Sequence, residues 1–95
     1  MTAGPRHIEV LVVAPPRALL LDIAGPIEVL RKANLTQDVV RFVPRYVGAG
    51  ARVATSIGLD VAGLAPLPAR VAAGAFVLVS GSADEPMGEG RDAAD

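Results

Sequence analysis

The first strong pattern in the chain is an almost unbroken apolar run from Ile8 to Val13. Strands that are buried on both faces of a parallel sheet have this character, because neither face meets water and the alternation is lost. The run therefore predicts a central strand over residues 7–13. Pro15 and Pro16 follow, and because each lacks the N–H that a ladder requires, we expect the chain to leave the sheet there.

Helical periodicity follows this loop. The apolar residues recur at spacings of three, four and three, which lays them on one helix face, and they are Leu20, Ile23, Ile27 and Leu30. This pattern predicts an amphipathic helix packed on the sheet. Because proline is harmless only in a first helical turn, Pro26 places the start of the regular helix between Asp22 and Gly25. Asn34 is predicted to end it.

A second strand is predicted over residues 38–47, with Phe42 and Tyr46 on one face. Pro44 lies inside this segment and cannot donate to a ladder. We therefore expect the strand to lie near a sheet edge or to carry a bulge.

The remaining pattern consists of short apolar arms and glycines. Residues 53–55 and 59–61 predict a small hairpin, joined through a turn that contains Gly58. The run from Ala75 to Ser80 predicts a further buried strand. Residues 82–95 are acidic and contain a single large apolar side chain, so a flexible acidic tail is predicted there.

The order of strand, helix, strand, hairpin and strand is typical of the α/β class. We predict a three-layer, mostly parallel sheet with a right-handed strand-helix-strand crossover, as in flavodoxin-like folds, and we predict it to be incomplete at this length. Residues 7–81 would form this domain.

Composition narrows the function classes. The 95 residues are 52% hydrophobic with three aromatic side chains, which suits a core of aliphatic residues. The chain has no cysteine, and nine basic and ten acidic side chains nearly cancel without forming a basic stripe. We therefore expect no thiol nucleophile, no direct contact with nucleic acid and no metal site or cofactor. The apolar runs are too short for a signal peptide or a membrane span, so a cytoplasmic location is expected.

The segment from Leu20 to Leu30 reads LLDIAGPIEVL. It resembles the L-D-x-x-G-P-x-E-V-[FL] signature of PfpI/ThiJ-like domains, which belong to the class I glutamine amidotransferase-like superfamily. The segment from Val53 to Leu59 is similar to that family's V-x-[TS]-S-x-G-L stretch. Phe76 to Gly81 falls where the family has V-x-V-x-G-G, although Ser82 replaces the second glycine. The resemblance spans about half of such a domain.

Three hypotheses follow from this resemblance. The first is a ligand-sensing and dimerising domain of an AraC-type transcriptional regulator, binding a small-molecule effector and forming a homodimer. The second is part of an isonitrile hydratase-like enzyme, in which Asp22 would assist a thiolate that this chain does not contain. The third is a truncated piece, whose exposed sheet edge would tend to pair with itself.

The resemblance and the fold class single out five candidate ligand-binding residues, Asp22, Gly25, Pro26, Gly81 and Ser82. Asp22 would lie at the carboxyl end of a strand, where open α/β sheets place their ligands, but an aspartate there more commonly caps its helix. Gly25 would allow close packing and Pro26 would set the helix entry. Gly81 and Ser82 would offer donors to an anion or, more commonly, form a turn.

Two further polar residues are assigned structural roles. Glu28 is predicted to form a surface ion pair with Arg31 or Lys32 rather than to face a pocket. His7 is the only imidazole and is predicted to begin the first strand.

Overall fold

Six strands and one helix make up the part of the protein, residues 4–87, that the computed structural model describes. In chain order they are β1 (Arg6–Val13), α1 (Leu20–Thr36), β2 (Val40–Gly48), β3 (Arg52–Ala54), β4 (Asp60–Ala62), β5 (Ala65–Pro66) and β6 (Phe76–Val79). Each strand predicted from the sequence is present within about two residues of its expected bounds. The two-residue strand β5 was not predicted.

The main sheet has the strand order β5-β2-β1-β6, and every neighbouring pair is parallel. This arrangement confirms the α/β class and the parallel sheet, and it is compatible with a flavodoxin-like arrangement. Within residues 4–87 the single helix lies on one face of the sheet, so the third layer of the predicted architecture is not among the described elements.

The core forms where α1 packs on the sheet. Side chains that alternate along β1, Val10 and Val12, are buried there against Ile23 of the helix. Ile27 and Leu30 pack beside them, so three of the four residues of the predicted helix face lie on the core. This burial stabilises the fold because apolar surface leaves the water from both elements at once.

The predicted bounds of α1 were wrong at both ends. The helix begins at Leu20, its N-cap residue is Leu19, and Pro26 is therefore an interior residue. The helix also continues past Asn34 to Thr36, because the Asn34 side chain bonds the neighbouring strand instead of ending the helix.

β6 is not the buried strand that its sequence predicted. Phe76, Val77 and Val79 are 53%, 54% and 62% exposed. The cause is its position, since β6 is the last strand of the sheet among the described residues and pairs only with β1.

The prediction for Pro44 is confirmed. β5 pairs with β2 only at Val47 and Gly48, so the earlier part of β2 has an open side. Phe42, two residues before Pro44, gives its N–H to the Asn34 side chain on that side. The nitrogen of Pro44 points toward the same open side. The N–H that proline lacks would therefore not have bonded β1, and the ladder between β1 and β2 loses no hydrogen bond.

The predicted hairpin is confirmed as the antiparallel pair β3 and β4, in which Val53 lies opposite Val61. Gly58, in the connecting turn, has a φ of +84°, a conformation that glycine adopts at no steric cost. Of the predicted tail, residues 82–87 are described and residues 88–95 lie outside the described part. Met87 donates its N–H to the carbonyl of Ser56, and the boundary at residue 81 stays a prediction.

No helix in the described range is both long enough and apolar enough to cross a membrane.

Candidate functional site

The chain leaves β1 toward β2 on one side, and β6 later joins β1 on the other side. Such a reversal of strand order opens a crevice at the carboxyl ends of the strands, which is where open α/β sheets bind their ligands. Here the crevice lies beyond Val13 and Val79, the paired last residues of β1 and β6.

The loop after β1 fills this crevice and is held from both sides by backbone hydrogen bonds. On the hairpin side they run from Arg17 N–H to Ala54 and from Ser56 N–H to Ala18, and on the β6 side from Leu19 N–H to Gly81 and from Ala83 N–H to Arg17. The four donor-acceptor distances are 2.8, 2.8, 2.9 and 2.9 Å. The loop thereby joins two segments that are distant in sequence.

Arg17 is the only non-glycine residue in the described range with a positive φ, +59°. This conformation turns its N–H toward Ala54 and its carbonyl toward Ala83. A left-handed backbone costs an L-residue about 1–2 kcal/mol, so the loop stores strain at the crevice.

Replacing Arg17 with glycine is therefore expected to raise the free energy of unfolding by about 0.5–1 kcal/mol, since relief of strain exceeds the extra freedom of the unfolded chain. Urea unfolding followed by circular dichroism measures this. Arg17→Ala, which keeps the strain, is the matched control and should be close to neutral. A loss of stability in the glycine variant would show that Arg17 is unstrained.

Asp22 does not cap its helix, and the capping interpretation is wrong. The structure shows no side-chain cap, and Asp22 lies in the first turn of α1 with its own N–H bonded to the carbonyl of Leu19. Its Oδ2 atom instead accepts a hydrogen bond of 3.0 Å from the N–H of Gly81, 59 residues away. Among residues 4–87 nothing donates to the second oxygen, Oδ1, and the side chain is exposed.

Gly81 and Ser82 meet Asp22 at the crevice. A Cβ atom on Gly81 would lie 3.0 Å from Cδ1 of Leu19 and 3.1 Å from Oδ2 of Asp22, so a larger residue would require these two side chains to move by a few tenths of an ångström. The hydroxyl of Ser82 donates to the carbonyl of Pro16 at 3.0 Å. Because the N–H of Gly81 is already bonded to a carboxylate, an anionic ligand would meet a negative charge there.

Gly25 and Pro26 lie outside this cluster. The nearest atom to a Cβ built on Gly25 is Cδ1 of Leu21 at 4.0 Å, so the predicted close packing at Gly25 is wrong. Pro26 does not set the helix entry. It lines an apolar groove with Val29, Leu30 and β6.

An apolar hollow of about 320 Å³ lies at the start of α1, next to Asp22 in sequence, and is lined by Leu19, Leu20, Leu21, Ala24, Ser56 and Ile57. A larger cavity, about 600 Å³, lies near the start of β1, where Glu9 and Arg45 approach to 3.9 Å. We assign the site to the smaller hollow because the larger cavity is remote from the carboxyl ends of the strands.

Sequence reasoning missed the backbone of Arg17 and Ala18 and the side chain of Leu19. The only sequence signal for them was the pair of prolines just before, which ends β1 and starts the loop. Glu28 does form the predicted surface pair, accepting from Nε of Arg31 at 3.0 Å, and His7 does lie at the start of β1. In the described part of the chain no three acidic or histidine side chains gather to hold a metal ion.

The chain matches no protein-family model, no curated protein and no solved structure. The family resemblance therefore rests on the three motifs themselves.

Proposed function

We propose that this chain supplies the ligand-sensing and dimerising part of an AraC-type transcriptional regulator, built on an incomplete three-layer, flavodoxin-like domain of the PfpI/ThiJ-like kind with a right-handed crossover. The single observation that carries the proposal is the hydrogen bond between Asp22 and Gly81. It joins the motif residue at the start of α1 to Gly81, two residues after the end of β6, across the crevice where this class of sheet binds ligands.

The geometry favours a particular kind of effector. Among residues 4–87 the Oδ1 atom of Asp22 accepts no hydrogen bond, and the residue before it, Leu21, lines the apolar hollow. A small neutral or cationic molecule with an N–H or O–H group and a short apolar body fits both features. An anion does not fit, since it would face the Asp22 carboxylate.

Binding there would act through the link between α1 and β6. A ligand shifts a conformational equilibrium only by its differential affinity for the two states. An effector that bonds Oδ1 would bind most tightly when Oδ2 accepts the hydrogen bond from Gly81. It would therefore favour the conformation in which the hydrogen bond between Asp22 and Gly81 is formed. The DNA-binding function would belong to another domain, and this chain would contact neither nucleic acid nor membrane and would act in the cytoplasm without a cofactor.

The enzyme hypothesis is the weaker alternative. In an isonitrile hydratase-like enzyme Asp22 would exchange a proton with a reaction carried by a thiolate. The chain has no cysteine to supply that thiolate.

The test is a binding experiment by NMR on the full chain, using a panel of small primary amides, amines and alcohols as probes. A probe at the site is expected to shift the amide resonance of Gly81. In Asp22→Ala its affinity is expected to fall about tenfold or more, because a hydrogen bond to a charged group is lost. Asp38→Ala, which removes an exposed carboxylate elsewhere, is the matched control and should bind as the parent does.

Asp22→Asn separates charge from shape, because it keeps an acceptor for Gly81 and removes the charge. Cationic probes should weaken in this variant more than neutral ones. The proposal is wrong if the bound probes perturb Glu9 and Arg45 instead of Gly81, or if Asp22→Ala binds as tightly as the parent.

A further inference from the structure

A second apolar hollow, of about 230 Å³, lies between α1 and the carboxyl ends of β1 and β2. Its walls are formed by Ala14, Leu20, Ile23, Tyr46 and residues 61–64. None of these residues belongs to β6 or follows it, so the hollow lies away from the open edge of the sheet. We call it the Tyr46 hollow, and we call the hollow already assigned to the effector the effector hollow.

Leu20 is the one residue that lines both hollows. Successive residues of an α-helix are about 100° apart around its axis. Ile23, which lines the Tyr46 hollow, therefore lies about 60° from Leu20 in one direction, and Ala24, which lines the effector hollow, lies about 40° from it in the other. Leu20 is thus placed between the two hollows on the surface of α1.

The hairpin lines both hollows as well. Ser56 and Ile57, in its turn, line the effector hollow, whereas β4 lines the Tyr46 hollow. A hydrogen bond of 2.8 Å from the N–H of Ser56 to the carbonyl of Ala18 fixes the hairpin beside the loop that precedes α1. The two hollows therefore follow one another between the same two elements, α1 and the hairpin, and Leu20 lies where they meet.

We propose that Leu20 determines the length of the effector that the site accepts. The inference rests on the proposed function, in which the polar group of the effector bonds Asp22 and its apolar body occupies the effector hollow. Leu20 then blocks the way from the effector hollow into the Tyr46 hollow. The effector is accordingly a neutral or cationic molecule whose apolar body is short enough to end before Leu20.

The volumes of the two hollows support such a limit. Pockets that bind small molecules measure roughly 300–1,000 Å³. The effector hollow, at about 320 Å³, lies at the lower end of this range, and the Tyr46 hollow, at about 230 Å³, lies below it. A body that passed Leu20 would have the space of both. Because the walls are mainly apolar, each methylene group buried there should tighten binding about fourfold.

The experiment is an NMR titration of the full chain with straight-chain primary amides from propanamide to heptanamide. The amide resonance of Gly81 reports on binding at Asp22. The ring resonances of Tyr46, the only tyrosine of the chain, report on entry into the second hollow. In the parent the affinity is expected to stop rising before heptanamide, and no amide should shift the Tyr46 ring.

Leu20→Ala is expected to open the way between the hollows. Heptanamide should bind this variant at least about tenfold more tightly than it binds the parent, since two or more methylene groups become buried. It should shift Gly81 and the Tyr46 ring together, whereas propanamide, which does not reach Leu20, should bind both proteins about equally. Leu20→Val, a smaller truncation, should give a smaller gain in the same direction and replaces the alanine variant if circular dichroism shows that variant to be unfolded.

Leu21→Ala is the matched control, because Leu21 lines only the effector hollow. It should weaken the binding of the amides without any gain for heptanamide and without a shift of the Tyr46 ring. A general loosening of the start of α1 would instead affect the Leu20 and Leu21 variants alike.

The outcomes separate this inference from the proposed function. If the amides shift Gly81 and require Asp22, but heptanamide gains nothing in Leu20→Ala, the role of Leu20 is overturned and the effector site stands. The role of Leu20 is also overturned if heptanamide shifts the Tyr46 ring in the parent, or if it does so in Leu20→Ala without shifting Gly81. If no amide shifts Gly81 in any of the proteins, the proposed function fails and this inference fails with it.

Discussion

Replacing Asn34 with alanine is expected to lower the free energy of unfolding by about 2–3 kcal/mol. The Asn34 side chain bonds both backbone groups of Phe42, donating from Nδ2 to the carbonyl at 2.9 Å and accepting from the N–H at Oδ1 at 2.8 Å. β5 pairs with β2 only at Val47 and Gly48, so no strand is available to satisfy Phe42 on that side. Alanine would leave two partly buried groups unpaired, each costing about 1–3 kcal/mol, and would recover only about 0.5 kcal/mol through better helix propensity.

Urea unfolding followed by far-ultraviolet circular dichroism measures this loss, and a melting temperature lower by roughly 10–20 °C should accompany it in a domain of this size. Leu35→Ala changes the neighbouring, exposed residue of α1 and is the matched control, expected within about 0.5 kcal/mol of the parent. Asn34→Asp keeps an acceptor for the N–H but sets a carboxylate against the carbonyl, so it should also destabilise. Equal stability of Asn34→Ala and Leu35→Ala would show that the double bond to Phe42 contributes nothing.

Pro26→Ala is expected to act in the opposite direction, raising the free energy of unfolding by about 2 kcal/mol. Pro26 is an interior residue of α1, where its ring crowds the carbonyl of Asp22 and its missing N–H leaves that carbonyl without its helical partner. An interior proline costs about 3 kcal/mol, and the stiffness it gives the unfolded chain returns up to about 1 kcal/mol.

Gly25→Ala is the comparison variant, since a Cβ there would meet only Cδ1 of Leu21 at 4.0 Å. It should stabilise by about 0.5–1 kcal/mol through helix propensity alone. Both variants can be measured by thermal unfolding and by the binding assay for Asp22. If Pro26→Ala unfolds at the same temperature as the parent or below it, the proline makes a favourable contact that offsets its cost.

Gly25 and Pro26 break local rules of helix design, and close packing does not explain Gly25. Sequences tend to break such rules at functional or strained sites. The motif that carries the family resemblance includes both residues, and it also includes Asp22. We therefore expect stabilised variants of Gly25 and Pro26 to show altered effector binding, which the same probes would detect.

Several elements could be predicted because their signals are local. The sequence of β1 contains an almost unbroken apolar run, and Gly58 in the connecting turn indicates the hairpin of β3 and β4. The apolar spacing that includes Ile23 and Ile27 predicted which face of α1 meets the sheet. In each case neighbouring residues determine the backbone geometry and the side that avoids water.

Other features depended on residues far apart in the chain. An aspartate in the first turn of a helix suggests a cap, yet Asp22 bonds Gly81 because the loop after β1 brings the end of β6 beside the helix. Asn34 suggests a helix end, yet it bonds Phe42 because β5 leaves that side of β2 open. Each side chain could have made the local contact that the sequence suggests, but in the folded protein it bonds a backbone group that lies further along the chain.

The sequence by itself determined the α/β class of the described residues, the approximate positions of the main strands and of the helix, and the face of α1 that packs on β1. Only the tertiary structure decided that β6 is an exposed edge, that α1 begins before Asp22, and that Asp22 and Gly81 meet. The physical reason is that periodicity and turn chemistry act over a few residues, whereas exposure and hydrogen-bond partners depend on which strands become neighbours in the sheet. A run such as Phe76–Val79 is the same in sequence whether one strand or two lie beside it.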